Sequence, residues 1–324
     1  MPQPSPVKLV RIGGSKDGAY LVPDDLDAIQ ACFSPGVNNF KDFEDELTLK
    51  YGIKCHMCDY TSDLEKFKTP LINGMQTFEK KWLDIDGGAD SISLAEWVEK
   101  SCGTSHDDLL LQMDIEGAEL RNLNGASVEL MNRFRILLLE LHVPACDSSQ
   151  MQFGADICQL IDKLYETHAC VHIRANNCCG DFIDGGTGMN IPNVMEITYL
   201  RRDRFTGEPR HMLPPQLPHP LDIPFNLPQI QPLHLNSNWL GGRKRSLKSE
   251  LKIYQDYIIY ESESQPRIIS LDYLRKGLLI CKKNSFRDLS SVIYGFRLLA
   301  FHIRFQIKNL MPLLSRRQTT LIES

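Results

Sequence analysis

Two apolar runs that stop abruptly at polar residues constrain this chain most. Leu109-Leu110-Leu111-Gln112-Met113 breaks into Asp114-Ile115-Glu116-Gly117-Ala118-Glu119, and Ile136 to Leu141 carries Glu140 near its end and is followed by His142. Short, continuously apolar runs of this kind fit strands buried on both faces, as in a parallel sheet covered by helices. The surrounding pattern agrees. Ile53 to Cys58, Cys170 to Ile173 and Val194 to Leu200 read as strands. Ala28 to Phe33 is a short apolar run ending at Ser34-Pro35-Gly36. Phe43 to Tyr51, Ser93 to Lys100, Ala126 to Met131 and Asp156 to Glu166 read as helices. This alternation predicts an α/β fold, a Rossmann-like, mostly parallel sheet with helices on both faces. Ligands of such folds bind beyond the carboxyl ends of the strands, which is where the polar residues stand here.

Composition excludes several classes. With 42% hydrophobic and 24% charged residues, the chain is neither disordered nor fibrous. It has no run of 18 apolar residues, so a spanning helix is not expected. The opening Met1-Pro2-Gln3-Pro4-Ser5-Pro6 lacks the apolar core of an export signal. Its ten scattered cysteines then read as reduced thiols and its location as cytoplasmic. Cys55-His56-Met57-Cys58 has metal-ligand spacing, but no second pair follows and the segment reads as a buried strand. Asp84 to Asp90 reads as a polar surface loop, because its glycines are misplaced for a calcium loop. A net charge of −5 argues against a nucleic-acid partner.

Three zones follow one another. Residues 1–205 hold the alternating pattern. Residues 206–240 are a linker or strap, because eight of the 18 prolines fall between Pro209 and Pro232 and proline removes a backbone donor. Residues 241–324 are basic and helix-leaning. From Pro266 onward 11 Lys+Arg stand against 3 Asp+Glu, so the body is acidic. Arg297, Arg304 and Lys308 share one helical face of an apolar stretch. Such a helix either packs on the acidic body or makes peripheral contact with an anionic membrane.

Four polar clusters are candidates for chemistry. The turn Ser34 to Asn39 contains Gly36, where backbone can approach a ligand closely, and Asp59 ends the next strand, placed to accept the hydroxyls of a ribose. Asp114 and Glu116 directly follow a buried strand, a costly position unless they face a ligand, a cation or donors. Glu119 either joins them or simply favours the first turn of the next helix. Glu140 and His142 are two apart on a strand, so the carboxylate is placed to orient the imidazole. His172, Asn176 and Asn177, with Glu196 on the next strand, offer donors and acceptors for a polar substrate; the two asparagines also suit an ordinary turn.

Taken in order, these residues resemble a known family. Met113-Asp114-Ile115-Glu116-Gly117-Ala118-Glu119 resembles the M-D-[IV]-E-G-[AS]-E signature of FkbM-type methyltransferases. Arg11 to Tyr20 is similar to the R-x-G-x-x-x-D-G-G-Y stretch preceding that domain, with Ala19 in place of a glycine. Gly36 followed by Phe43-Glu44 is similar to its cofactor turn. Glu140, His142, His172, Asn176, Asn177 and Glu196 complete the order, over about residues 8–205; beyond them only Pro220 to Pro224 matches, loosely.

The resemblance implies an S-adenosylmethionine-dependent O-methyltransferase acting on a hydroxyl, often of a sugar. Gly36, Asn38, Glu44, Asp59 and Asp114 are then the expected cofactor residues. His142, oriented by Glu140, is the expected base, with His172 second and Asp114 beside them. Asp114, Glu116 and Glu196 are candidate ligands for a divalent cation, Mg or Mn. Asn176 and Asn177 are candidate contacts to a carbohydrate-type acceptor. Two rivals stand beside this reading. A glycan- or nucleotide-binding module without turnover is favoured by the single glycine of the turn. A glycosyltransferase would need a D-x-D motif in its cleft.

Overall fold

The computed structural model describes residues 1–143, 149–184, 188–206, 211–223, 226–227, 229–231 and 233–240, with backbone alone over 149–154. The basic helix read near residues 286–310 lies outside the described residues. The described chain belongs almost wholly to one unit, Met1–Phe182 with Met189–Gly241.

The elements run β1 (Leu9–Ile12), β2 (Tyr20–Pro23), β3 (Ala31–Pro35), α1 (Asp42–Tyr51), β4 (Lys54–Cys58) and β5 (Gln76–Glu79). Then come α2 (Leu94–Cys102), β6 (Leu109–Met113), α3 (Glu119–Gly125), α4 (Val128–Met131) and β7 (Phe134–His142). After them follow α5 (Ser149–Tyr165), β8 (His168–Ala175) and β9 (Val194–Arg201). One seven-stranded sheet has the order β8-β9-β7-β6-β3-β4-β5. All neighbours are parallel except at β9, which runs antiparallel to both β7 and β8. The chain builds outward from β3 to β5, then returns to the other side of β3 with β6. The strand order therefore reverses between β3 and β6, the place where open sheets of this kind bind ligands.

The predicted burial on both faces is what the central strands show. Leu109, Leu110, Leu111 and Met113 are all fully buried. Leu109, Leu111 and Met113 join Phe33, Trp97, Leu123 and Leu160 in a core beneath α2, α3 and α5. Leu110 faces the other way, into a second core with Tyr20, Phe43 and Leu47. The expectation of helices on both faces is therefore half met: α1 shares the second face with the β1–β2 hairpin. Trp97 packs edge-on against Phe33, their ring centroids 5.0 Å apart, and burying such a ring contributes about 2–3 kcal/mol. Its helix starts where a reciprocal cap allows, Ser93 Oγ accepting from Glu96 N while Glu96 Oε2 accepts from Ser93 N.

The proline-rich zone is fastened to this unit. Asn177 Nδ2 donates to the carbonyls of Leu227 and Ile230, both at 3.0 Å, and Asn177 Oδ1 accepts from the N–H groups of Asn226 and Leu227. Asn190 donates to the His234 carbonyl at 2.8 Å and accepts from Asn236 N at 2.8 Å. Leu217, Leu233 and Trp239 pack against the first core. Where described, the zone is a strap beside the edge strand β8, held by these side chains and, at Leu213, by a two-way backbone bridge to Ser5, its prolines barring longer strand pairing.

Candidate active site

Three strand ends meet at the point where the strand order reverses. The turn after β3 is set by Gly36, whose φ is +82°, followed by Asn38 and Asn39, both also left-handed. A Cβ at Gly36 would lie 1.6 Å from the Asp114 carbonyl oxygen. The glycine is thus required by the close approach of the β6 exit, where the sequence alone suggested approach to a ligand. Asp59, at the end of β4, fixes the turn from the other side. Its Oδ2 accepts from Val37 N (3.1 Å), Asn38 N (2.9 Å) and Ser62 Oγ (2.7 Å), and its Oδ1 accepts from the N–H and hydroxyl of Thr61. The carboxylate read as a ribose acceptor is committed to its own loops, so a ribose would have to displace one of these bonds. Although burial opposes it, this set of donors, led by Thr61 and Ser62, holds Asp59 below the usual carboxylate range. Glu44 lies buried beneath the turn, where desolvation raises its pKa to about 7.

At the end of β6 the chain turns through Glu116, with φ +55°, and Gly117, with φ +101°, into α3. Glu119, 1% exposed, is the first residue of that helix. Its Oε1 accepts from Ile115 N at 2.9 Å and Gly117 N at 3.1 Å, and it lies 3.1 Å from His142 Nδ1. With a carboxylate oxygen as its partner, Nδ1 is where the neutral ring holds its proton, leaving the lone pair at Nε2. That nitrogen stands 3.3 Å from Glu116 Oε2 and 4.0 Å from Asp114 Oδ1. Burial pulls the imidazole pKa down, but the Glu119 bond and the charges of Glu119, Asp114 and Glu116 outweigh it, and the net shift is upward. Asp114 is raised to about 7, chiefly by burial, with His142 opposing and Glu116, Glu119 and Asp17 reinforcing. Its Oδ1 is buried without a hydrogen-bond partner.

Glu140 does not orient His142; Glu119 does. Glu140 instead accepts from Asn176 Nδ2 at 3.0 Å, and burial pushes its carboxyl well above the usual range. Its cross-strand neighbour is Glu196, whose own neighbour on β8 is Arg174. Glu196 pairs with Arg174 and accepts from Asn226 of the strap. It is therefore not a partner of Asp114 in a cation site. Among the described residues, the set whose donor atoms could share a cation is Asp114, Glu119 and His142. Glu119 already accepts backbone N–H groups there, and one further donor is an imidazole. That is a poor match for the all-oxygen shell that magnesium demands, and Glu196, expected beside Asp114 and Glu116, is instead taken by Arg174.

His172 stands apart from His142, on β8, two strands from β7. Its Nε2 is 2.9 Å from Asp222 Oδ1 of the strap. Asn177, read as a substrate contact, clasps the strap. Cys55 and Cys58 are buried free thiols on β4. The sequence reading missed Asp222, whose signal was the loose Pro220 to Pro224 match, and Asp17, which accepts from Asn226 of the strap.

One family model, the methyltransferase FkbM domain, matches residues 57–167. The matched stretch contains Asp59, Asp114, Glu116, Glu119, Glu140 and His142, and it supports a methyltransferase family for the chain. No curated protein matches it. No helix among the described residues is long and apolar enough to cross a membrane.

Proposed function

We propose that the chain transfers a methyl group from S-adenosylmethionine to a hydroxyl oxygen, on a carbohydrate-type acceptor, with His142 as the base. The observation that carries this reading is the imidazole held by a buried carboxylate at Nδ1, with its other nitrogen directed to the strand ends where the order reverses. The cofactor fits on one atom in particular. Its methionine end carries an ammonium beside the sulfonium, and the unpartnered buried Oδ1 of Asp114 is an acceptor such a cation satisfies. Gly36 and Asn38, fixed by Asp59, would border the adenosyl part, with Glu44 supporting the turn from below.

S-adenosylmethionine supplies an electrophilic methyl. The protein's part is to position the acceptor oxygen in line and remove its proton. His142 Nε2 takes the proton, and Glu119 stabilises the resulting imidazolium by accepting from Nδ1. Glu116, exposed and 3.3 Å from Nε2, is the group an acceptor hydroxyl would displace.

The test is incubation of glycan extracts with isotopically labelled cofactor, with the product identified by mass spectrometry. His142→Ala retains cofactor binding and loses transfer by about 10²-fold or more. His172→Ala retains transfer. Transfer that survives loss of His142 and disappears with His172 would reverse the assignment.

A further inference from the structure

Between β8 and the strap lies a cavity of about 170 Å³. Leu217, Ile223 and Leu233 line it, together with Arg174, His219 and Asp222. A cavity of about 150 Å³ accommodates one benzene ring, so this one has room for a single six-membered ring. Its charges are already countered. Arg174 is bonded to Glu196 and Asn226. Asp222 is bonded to His172 at 2.9 Å and to His219 N at 2.8 Å. A charged ligand finds no free counter-charge there, whereas hydroxyls can share these groups. His219 Nδ1 accepts from Leu221 N at 3.1 Å, which places the proton of the neutral ring on Nε2 as a donor. A ring with a polar rim and an apolar face matches such a mixed lining.

The cavity is not where the methyl is transferred. β8 lies two strands from β7, a separation of about 10 Å, whereas transfer needs contact near 3 Å. Resting on the methyltransferase reading above, we propose that this cavity is a distal acceptor subsite. It takes one neutral, polyhydroxylated six-membered ring of an acceptor that extends to His142. Both walls of the cavity lie outside the matched residues 57–167. Binding energy gathered so far from the reacting atoms is available to position them.

The test is saturation-transfer NMR on the full chain with the methyl glycosides of glucose, galactose and mannose. Cyclohexanol serves as a largely apolar six-membered ring with a single hydroxyl, and glucose 6-phosphate as a charged probe. At least one neutral glycoside gives a signal that falls about tenfold in Ile223→Trp and in His234→Trp. The second variant fills the same cavity from an exposed position and so spares the fold. Absence of binding by all three glycosides overturns the proposal. So does binding unchanged in both variants, or stronger binding of cyclohexanol or the phosphate. Calorimetry with S-adenosylmethionine on the same samples separates the two readings. A wild-type chain that binds glycoside in the cavity but no cofactor removes the methyl-transfer reading and leaves a ring site.

Discussion

Glu119 does two jobs at once. It satisfies the N–H groups of Ile115 and Gly117 at the start of α3, and it holds the proton-bearing nitrogen of His142. Glu119→Gln keeps the shape but removes the charge that raises the imidazole pKa. Because His142 must be neutral to accept a proton, activity rises with pH through its pKa. In the native chain that inflection lies above 6.5, the ordinary value from which this pKa is raised. In Glu119→Gln the inflection moves down and the plateau falls by about tenfold or more. A pH–rate series on both proteins measures it. An inflection that does not move would remove Glu119 from the mechanism. At this scale the sequence was legible in part. The carboxylates after β6 and the histidine after β7 were visible as polar residues ending buried runs. The partner of His142 was not, because strand periodicity pointed to Glu140 while a turn at Glu116 and Gly117 carries Glu119 back over the strand ends. Backbone reversals of that kind leave no period in a sequence.

The elements were more legible than their partners. Buried strands advertise themselves by continuous apolar residues, so β6 and β7 were read within a residue or two at most ends. The β1–β2 hairpin was missed because Leu9–Ile12 and Tyr20–Pro23 are four residues each, too short for alternation to register. The strap was ambiguous because prolines exclude pairing without saying what holds the segment. The largest single hydrogen-bonding hold is Asn177, whose amide makes five contacts to strap backbone. Asn177→Ala leaves those backbone groups without partners, each costing about 1 kcal/mol or more where water cannot reach. The expected result is a loss of about 3 kcal/mol in chemical denaturation and early proteolytic cleavage within residues 211–240. Unchanged protease resistance would show that the packing of Leu217, Leu233 and Trp239 and the bonds of Asn190 and Ser5 hold the strap without Asn177.

Across the whole molecule, the sheet gathers acids at one end of its inner strands. After burial itself, Asp114, Glu196 and Asp17 raise the Glu140 pKa, and Glu116, Glu119 and Asp17 raise that of Asp114. Such an acidic end suits a cationic cofactor. It does not assemble a magnesium site, because Arg174 holds Glu196 and backbone N–H groups hold Glu119. Dialysis against EDTA therefore leaves methyl transfer unchanged, and a loss restored by magnesium or manganese would contradict the donor assignment. Most directly, S-adenosylmethionine can be titrated into the full chain in a calorimeter, beside Asp114→Asn. One cofactor per chain is expected, with an affinity about ten- to a hundredfold weaker in the variant, the loss of one charge-assisted bond. No heat of binding, or equal affinity in both proteins, would contradict this.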